Sequence, residues 1–185
     1  MEKWDVATGL TGKSPREYAN RTMKGNYGIY DLGYDEQGNL VSRDIRINRE
    51  LRPDQKRYVE AHETSHGVHE RTSGMDLSFV PEVQHELEQV YSTLNTGREG
   101  LRPPFRPQDR GYSDKQAPYE LVAEFIRAYM TNPNFAKTVG PNAAAKIRAF
   151  VNSHPEWSKL IQFNTLGGLA VLGGAASDAD APSER

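Results

Sequence analysis

The segment VEAHETSHGVHE, residues 59 to 70, constrains the fold more than any other stretch. His62 and His66 stand four residues apart, with Glu63 directly after the first. On a helix, positions four apart are offset by only about 40°. Two imidazoles then reach one ion from the same face. Pro53 supplies a helix start and Gly74 a stop, so the spacing predicts a helix over 53–74. Glu63 lies one step round that helix, close enough to contact a water held by the ion. A catalytic metal usually takes a third protein ligand and keeps one position open. The helix cannot supply that ligand easily, so another element must pack against it. The competing reading is a solvated helix face that happens to be rich in His.

Composition narrows the missing ligand. The chain has no cysteine, which excludes disulfides, thiolate metal sites and a Cys nucleophile. His69 lies on roughly the same face but about 10 Å along the axis from His62, too far for one ion to reach all three histidines. His85 and His154 stand alone in helical or turn contexts. The stronger candidate is YELVAEFIRAYM, residues 119 to 130. Glu120 and Glu124 are four apart on a helix whose other sides carry Leu121, Phe125, Ala128 and Tyr129. Like charges at that spacing repel in an isolated helix. A cation and an imidazole N–H beside them would reverse the cost. The simplest division puts Glu120 on the metal and Glu124 on the outer N–H of a ligand histidine. A solvated glutamate pair is the alternative.

The remaining pattern predicts an α+β, mostly helical domain. Ser14, Pro15 and Glu17 read as a capping-box start of a short first helix ending at Gly25. A hairpin follows, with Tyr30, Leu32 and Tyr34 on one arm and Val41, Ile45 and Ile47 on the other, turning at Gln37-Gly38-Asn39. Further helices are expected from Pro81 to about Leu94, from Pro118 to before Asn132, over PNAAAKIRAFVN and over PEWSKLIQF. Residues 98–118 hold four prolines and two glycines and read as an irregular loop, of a length that is more often functional than idle. Residues 1–164 are thus expected to form one domain, and 165–185 a flexible Gly/Ala-rich tail.

Charge and hydropathy argue against some partners. Lys plus Arg is 23 and Asp plus Glu is 25, a net charge of −2 with no global pull toward nucleic acid or an anionic membrane. RDIRINRELRPDQKR and REGLRPPFRPQDR are Arg-rich, but acids are interleaved in both, so solvated faces are expected. The one sustained apolar run, LGGLAVLGGAA, is too short and Gly-rich to span a bilayer. The N-terminal MEKWDVATGL lacks the apolar core of a signal peptide. A cytoplasmic protein is expected, or one delivered into a target cell by a non-classical route.

The two motifs together resemble the gluzincin metallopeptidases. GYSDKQAPYELVAEFIRAY looks like the active-site helix, with its preceding tyrosine, of the anthrax lethal factor catalytic domain and its relatives. That likeness spans roughly residues 56 to 152. AYMTNPNFAKTVGPNAAAKIRAFVNSHPEWSKLIQFN also resembles zincin-like domains of large polyvalent phage and mobile-element proteins and of bacterial effectors. The resemblance implies a zincin-like fold and a zinc endopeptidase acting on a protein or peptide. It makes His62, His66 and Glu120 the Zn²⁺ ligands, Glu63 the general base and Glu124 the acid behind a ligand histidine. Tyr112 would donate to the oxyanion. Its distance from Glu120 is one residue longer than the family spacing, which leaves Tyr119 as the alternative. The same resemblance implies an immunity protein or a carrier polypeptide as further partners. The rival reading is a non-catalytic zincin-fold binding module within a larger mobile-element protein. Glu63 argues against it, because only chemistry requires a glutamate there.

Overall fold

The computed structural model describes residues 6–72, 75–95, 104–155, 157 and 158. They form an α+β arrangement of helices packed beside one small sheet. In chain order the elements are α1 (Val6–Thr11), β1 (Arg16–Tyr18), α2 (Asn20–Met23), β2 (Gly28–Tyr34), β3 (Leu40–Asn48), α3 (Pro53–Arg71), α4 (Pro81–Asn95), α5 (Ala117–Thr131), α6 (Pro133–Val139) and α7 (Pro141–Ser153), with a 3₁₀ turn at Pro107–Arg110 before α5. The tail expected at 165–185 and most of the helix expected over PEWSKLIQF lie outside the described residues, as does the start of the loop over 98–118. Among the described residues no helix is long and apolar enough to cross a membrane.

Helix α3 begins where Pro53 takes the first turn and the Gln55 side chain accepts the Arg52 N–H at 3.1 Å. It ends at Thr72, short of Gly74, where the Thr72 hydroxyl donates back to the Val68 carbonyl at 2.6 Å. Helix α5 is buried on almost every side. Leu121, Val122, Phe125 and Ile126 share one buried core with Val83, Leu87 and Val90 of α4 and with Ile147 and Val151 of α7. Fully burying a side chain such as Phe125 contributes roughly 1.5–3 kcal/mol. This core fixes α5, and α3 packs along it.

The sheet has the order β1-β3-β2, with β2 antiparallel and β1 parallel to β3. The hairpin turns as expected. Asp35 accepts the N–H groups of Gln37 and Asn39 at 3.0 Å and 2.7 Å. Gly38 takes φ 83°, in the left-handed region that glycine enters without steric cost. Tyr30 pairs with Ile45, and Ile45 and Ile47 are buried against Ala7 of α1 and Val59 of α3. Toward the tip, where the register shifts between Gly33 and Tyr34, both Tyr34 and Val41 are exposed.

Three segments differ from expectation. The helix expected over 14–25 is instead β1 followed by the single turn of α2. A local capping signal gives way to sheet pairing. Arg16, Glu17 and Tyr18 align with Arg46, Ile47 and Asn48, and Arg16 pairs with Asp44. Lys56 meets Glu17 at 2.7 Å. Helix α1 was not expected; it forms because Val6, Ala7 and Leu10 bury one face. Helix α6 was also not expected. Asn132 ends α5 and also caps α6, accepting the Phe135 N–H at 3.2 Å, and Pro133 starts the new helix.

Candidate metal centre

Packing of α3 on α5 brings His62, His66 and Glu120 together, with their ligand atoms all within 4.8 Å of one another. The Nε2 atoms of His62 and His66 are 3.2 Å apart. His62 Nε2 lies 3.3 Å from one Glu120 oxygen, and His66 Nε2 lies 3.4 Å from the other. Two nitrogens each about 2.0–2.1 Å from a tetrahedral ion sit about 3.3–3.4 Å apart, so the donor spacing fits one small cation. The proton inventory points the same way. His62 Nδ1 lies 3.1 Å from Glu124 Oε2 and donates to that carboxylate, leaving Nε2 with a lone pair aimed at Glu120. Glu120 Oε2 is buried with no hydrogen-bond partner among the described residues. Facing lone pairs on buried atoms require a cation or a proton between them.

Without a metal, that role falls to a proton. Burial by itself would lower the His62 pKa, but hydrogen bonds to Glu120 and Glu124 outweigh it and raise it to about 10. Burial likewise opposes ionisation of Glu120, yet hydrogen bonds from His62 and His66 bring its pKa down to about 2.

Glu124 sits one turn further along α5 and is 1% exposed. Its carboxylate accepts from the Tyr58 hydroxyl at 2.7 Å, from Asn95 Nδ2 at 3.3 Å and from Arg127 Nη2 and Nε at 2.7 Å and 2.9 Å. The Arg127 guanidinium lies 4.1 Å from the centre of the Tyr58 ring. Burial opposes the charge on Glu124, while His62 and Arg127 hold its pKa far below the ordinary range.

Glu63 is buried beside the His62, His66 and Glu120 cluster and borders depressions on both sides of it. Burial raises its pKa, against the pull of the two histidines. Strand β2 runs so close that a Cβ at Gly28 would collide with Val59 and Glu63. The glycine is what lets the sheet reach the site.

Tyr112 lines a cavity of about 470 Å³ together with Glu63, His62 and Glu120. Burial and the charges of Glu120 and Glu63 push its phenol pKa up, so the hydroxyl remains a donor. Tyr119 lies instead in the depression on the other side, with Tyr30, Leu32, Glu63 and His66. It is 44% exposed, and its ring sits 5.7 Å from His69 and 6.1 Å from Phe79, centre to centre. His69 is buried and bonds Asp76 at 3.0 Å and Ser78 at 3.3 Å rather than joining His62, His66 and Glu120. His154 bonds the Phe150 carbonyl, and His85 lines a separate cavity between α4 and the loop before α5.

Sequence reasoning missed Tyr58, Asn95, Arg110 and Arg127. Tyr58 is four residues before His62 and Arg127 three after Glu124, so helical spacing could have found both. Asn95 and Arg110 carried no such signal, because they reach the site only through tertiary packing. Comparison of the chain with protein-family models, curated proteins and solved structures found no match.

Proposed function

We propose that the chain is a zinc-dependent endopeptidase of zincin-like type, with His62, His66 and Glu120 as the ligands. The carrying observation is the convergence of the His62 and His66 Nε2 atoms on the two oxygens of the buried Glu120 carboxylate, of which the one facing His62 has no hydrogen-bond partner among the described residues, with a second buried carboxylate, Glu63, alongside. An all-His/carboxylate donor set with this spacing suits zinc. When bound, the metal would supply Lewis-acid polarisation of the scissile carbonyl and an acidic water.

The chain's own residues do the rest. Glu63, with its raised pKa, takes a proton from the attacking water and returns it to the leaving amine. Tyr112 keeps its proton and donates to the oxygen on which negative charge develops. Glu124 fixes the His62 tautomer, and Arg127, Tyr58 and Asn95 fix Glu124. Strand β2 lies at the sheet edge, and its Tyr30 and Leu32 border the depression at Glu63 and His66. An extended peptide could add to that edge with its scissile bond over the metal.

Elemental analysis of purified protein should find about one zinc per chain, removable by chelator. Glu63→Gln should keep that zinc and lose peptide hydrolysis. Protein free of stoichiometric metal, or undiminished turnover in Glu63→Gln, would overturn the reading.

A further inference from the structure

The wall of the Tyr112 cavity holds an unexplained cation. Arg110 ends the 3₁₀ turn before Gly111, is partly exposed and lines the cavity shared by His62, Glu63, Tyr112 and Glu120. Its guanidinium carbon lies 5.4 Å from the centre of the Phe105 ring. Its Nε and Nη2 are buried and have no hydrogen-bond partner among the described residues. A dehydrated cationic donor without an acceptor is costly, and such groups in a folded chain call for an explanation.

Other arginines of the chain show what that edge holds. Arg43 grips Glu70 with Nε and Nη2 at 2.9 Å and 3.0 Å. Arg127 grips Glu124 with the same two nitrogens at 2.9 Å and 2.7 Å. The planar Nε/Nη2 fork matches the two oxygens of a carboxylate. Arg46 differs from Arg110: its Nε is unpartnered, but its Nη2 holds Asp31 at 2.8 Å. The described acids of Arg110's own loop are engaged elsewhere. Asp109 accepts the Arg106 N–H at 2.8 Å, and Asp114 accepts from Gln108 at 3.0 Å. Glu120 is committed to the two histidines.

We propose that Arg110 anchors the substrate by turning this enclosed fork into the cavity to receive one of its carboxylates, so that the site selects peptides bearing an acidic group near the scissile bond. The proposal rests on the peptidase reading. The carboxylate could be an Asp or Glu side chain or the peptide's own C-terminus. Both present the same planar pair of oxygens.

Binding without cleavage tests it. Zinc-loaded Glu63→Gln protein is immobilised and offered three octapeptide pools, each randomised over neutral residues. The first is acetylated and amidated with one fixed Glu, the second is identical with Gln, and the third carries Gln and a free C-terminus. Mass spectrometry counts the retained peptides. A carboxylate-bearing pool should be enriched at least tenfold over the Gln pool. The pool that is enriched identifies the source of the carboxylate. Adding Arg110→Met should erase the enrichment, and Arg110→Lys, which keeps the charge but not the fork, should lose most of it. Arg110→Lys carries the test alone if Arg110→Met does not fold. Equal retention of all three pools, or an enrichment untouched by either Arg110 change, overturns the proposal. If selective retention is found but the chain with Glu63 cleaves none of the pools, the peptidase reading falls and the carboxylate site stands.

Discussion

The first two turns of α5 each carry a buried glutamate, yet their surroundings are opposite. Glu120 has one oxygen with no donor and both facing imidazole nitrogens. Glu124, one turn on, is saturated by Tyr58, His62, Asn95 and Arg127. The same residue type on the same helix face is therefore suited to two jobs. A carboxylate with spare lone pairs can take a cation. A carboxylate gripped by five donor contacts cannot turn to meet one, and serves as a fixed acceptor instead. Position along the helix decides this. Both border the Tyr112 cavity, but Glu120 lies in the first turn facing His62 and His66, whereas Glu124 is held by Tyr58 of α3, Asn95 of α4 and Arg127.

Removing the open carboxylate gives the largest expected effect. Glu120→Ala should abolish stoichiometric metal binding, a loss of at least about 10³-fold in affinity, because two histidines remain. Titration with a chromophoric competitor for zinc measures it. Retained tight binding would move the third ligand elsewhere and dissolve the contrast between the two turns.

Tyr112→Phe comes next. The phenol shares its cavity with Glu120 and Glu63. Turnover should fall by roughly 10²–10³, the usual cost of losing one oxyanion donor, with metal content and substrate affinity nearly unchanged. If Tyr119→Phe gives that result and Tyr112→Phe is silent, the productive cavity is the one bordered by β2 and His66.

Glu124→Ala should weaken zinc binding by roughly 10–100-fold without abolishing it. It should also lower stability more than Glu120→Ala does, since Arg127 is then left buried and unpaired, at about 3–5 kcal/mol. Chemical denaturation of both metal-free variants gives the comparison. Equal stability losses would mean that the clamp on Glu124 carries no structural weight.

The contrast between the two turns was only half legible in the sequence. Spacing alone aligned His62 with His66 and Glu120 with Glu124, because helical period is a local property. It could not say which carboxylate stays open, since that depends on Tyr58 from α3 and Asn95 from α4, brought in by packing. The sheet shows the same limit. The hairpin was readable from Gly38 and its alternating arms. Strand β1 was not, because its pairing partner β3 lies about thirty residues away and overrides a good local capping signal.

The smallest expected effect is a pH dependence that separates the metal from the proton it replaces. In the metal-free chain the doubly protonated His62 ring bridges Glu120 through Nε2 and Glu124 through Nδ1, and its pKa is raised from 6.5 to about 10. A raised folded-state pKa contributes stability that is fully present below 6.5 and is lost as pH climbs through about 10. The metal-free protein should therefore lose stability across that window. Zinc must displace the same proton, so its apparent affinity should rise with pH, by at most about tenfold per unit, and level off near 10. The stabilisation that zinc confers grows accordingly. Thermal melts with and without metal between about pH 6.5 and 9 measure both slopes. In Glu120→Ala the bridge has one arm, and the metal-free slope should shrink. In Glu124→Ala the proton on Nε2 still faces Glu120, and part of the slope should persist. If Glu124→Ala instead flattens the curve and Glu120→Ala leaves it intact, the proton belongs to the Glu124 side, and the assignment of the two turns is reversed.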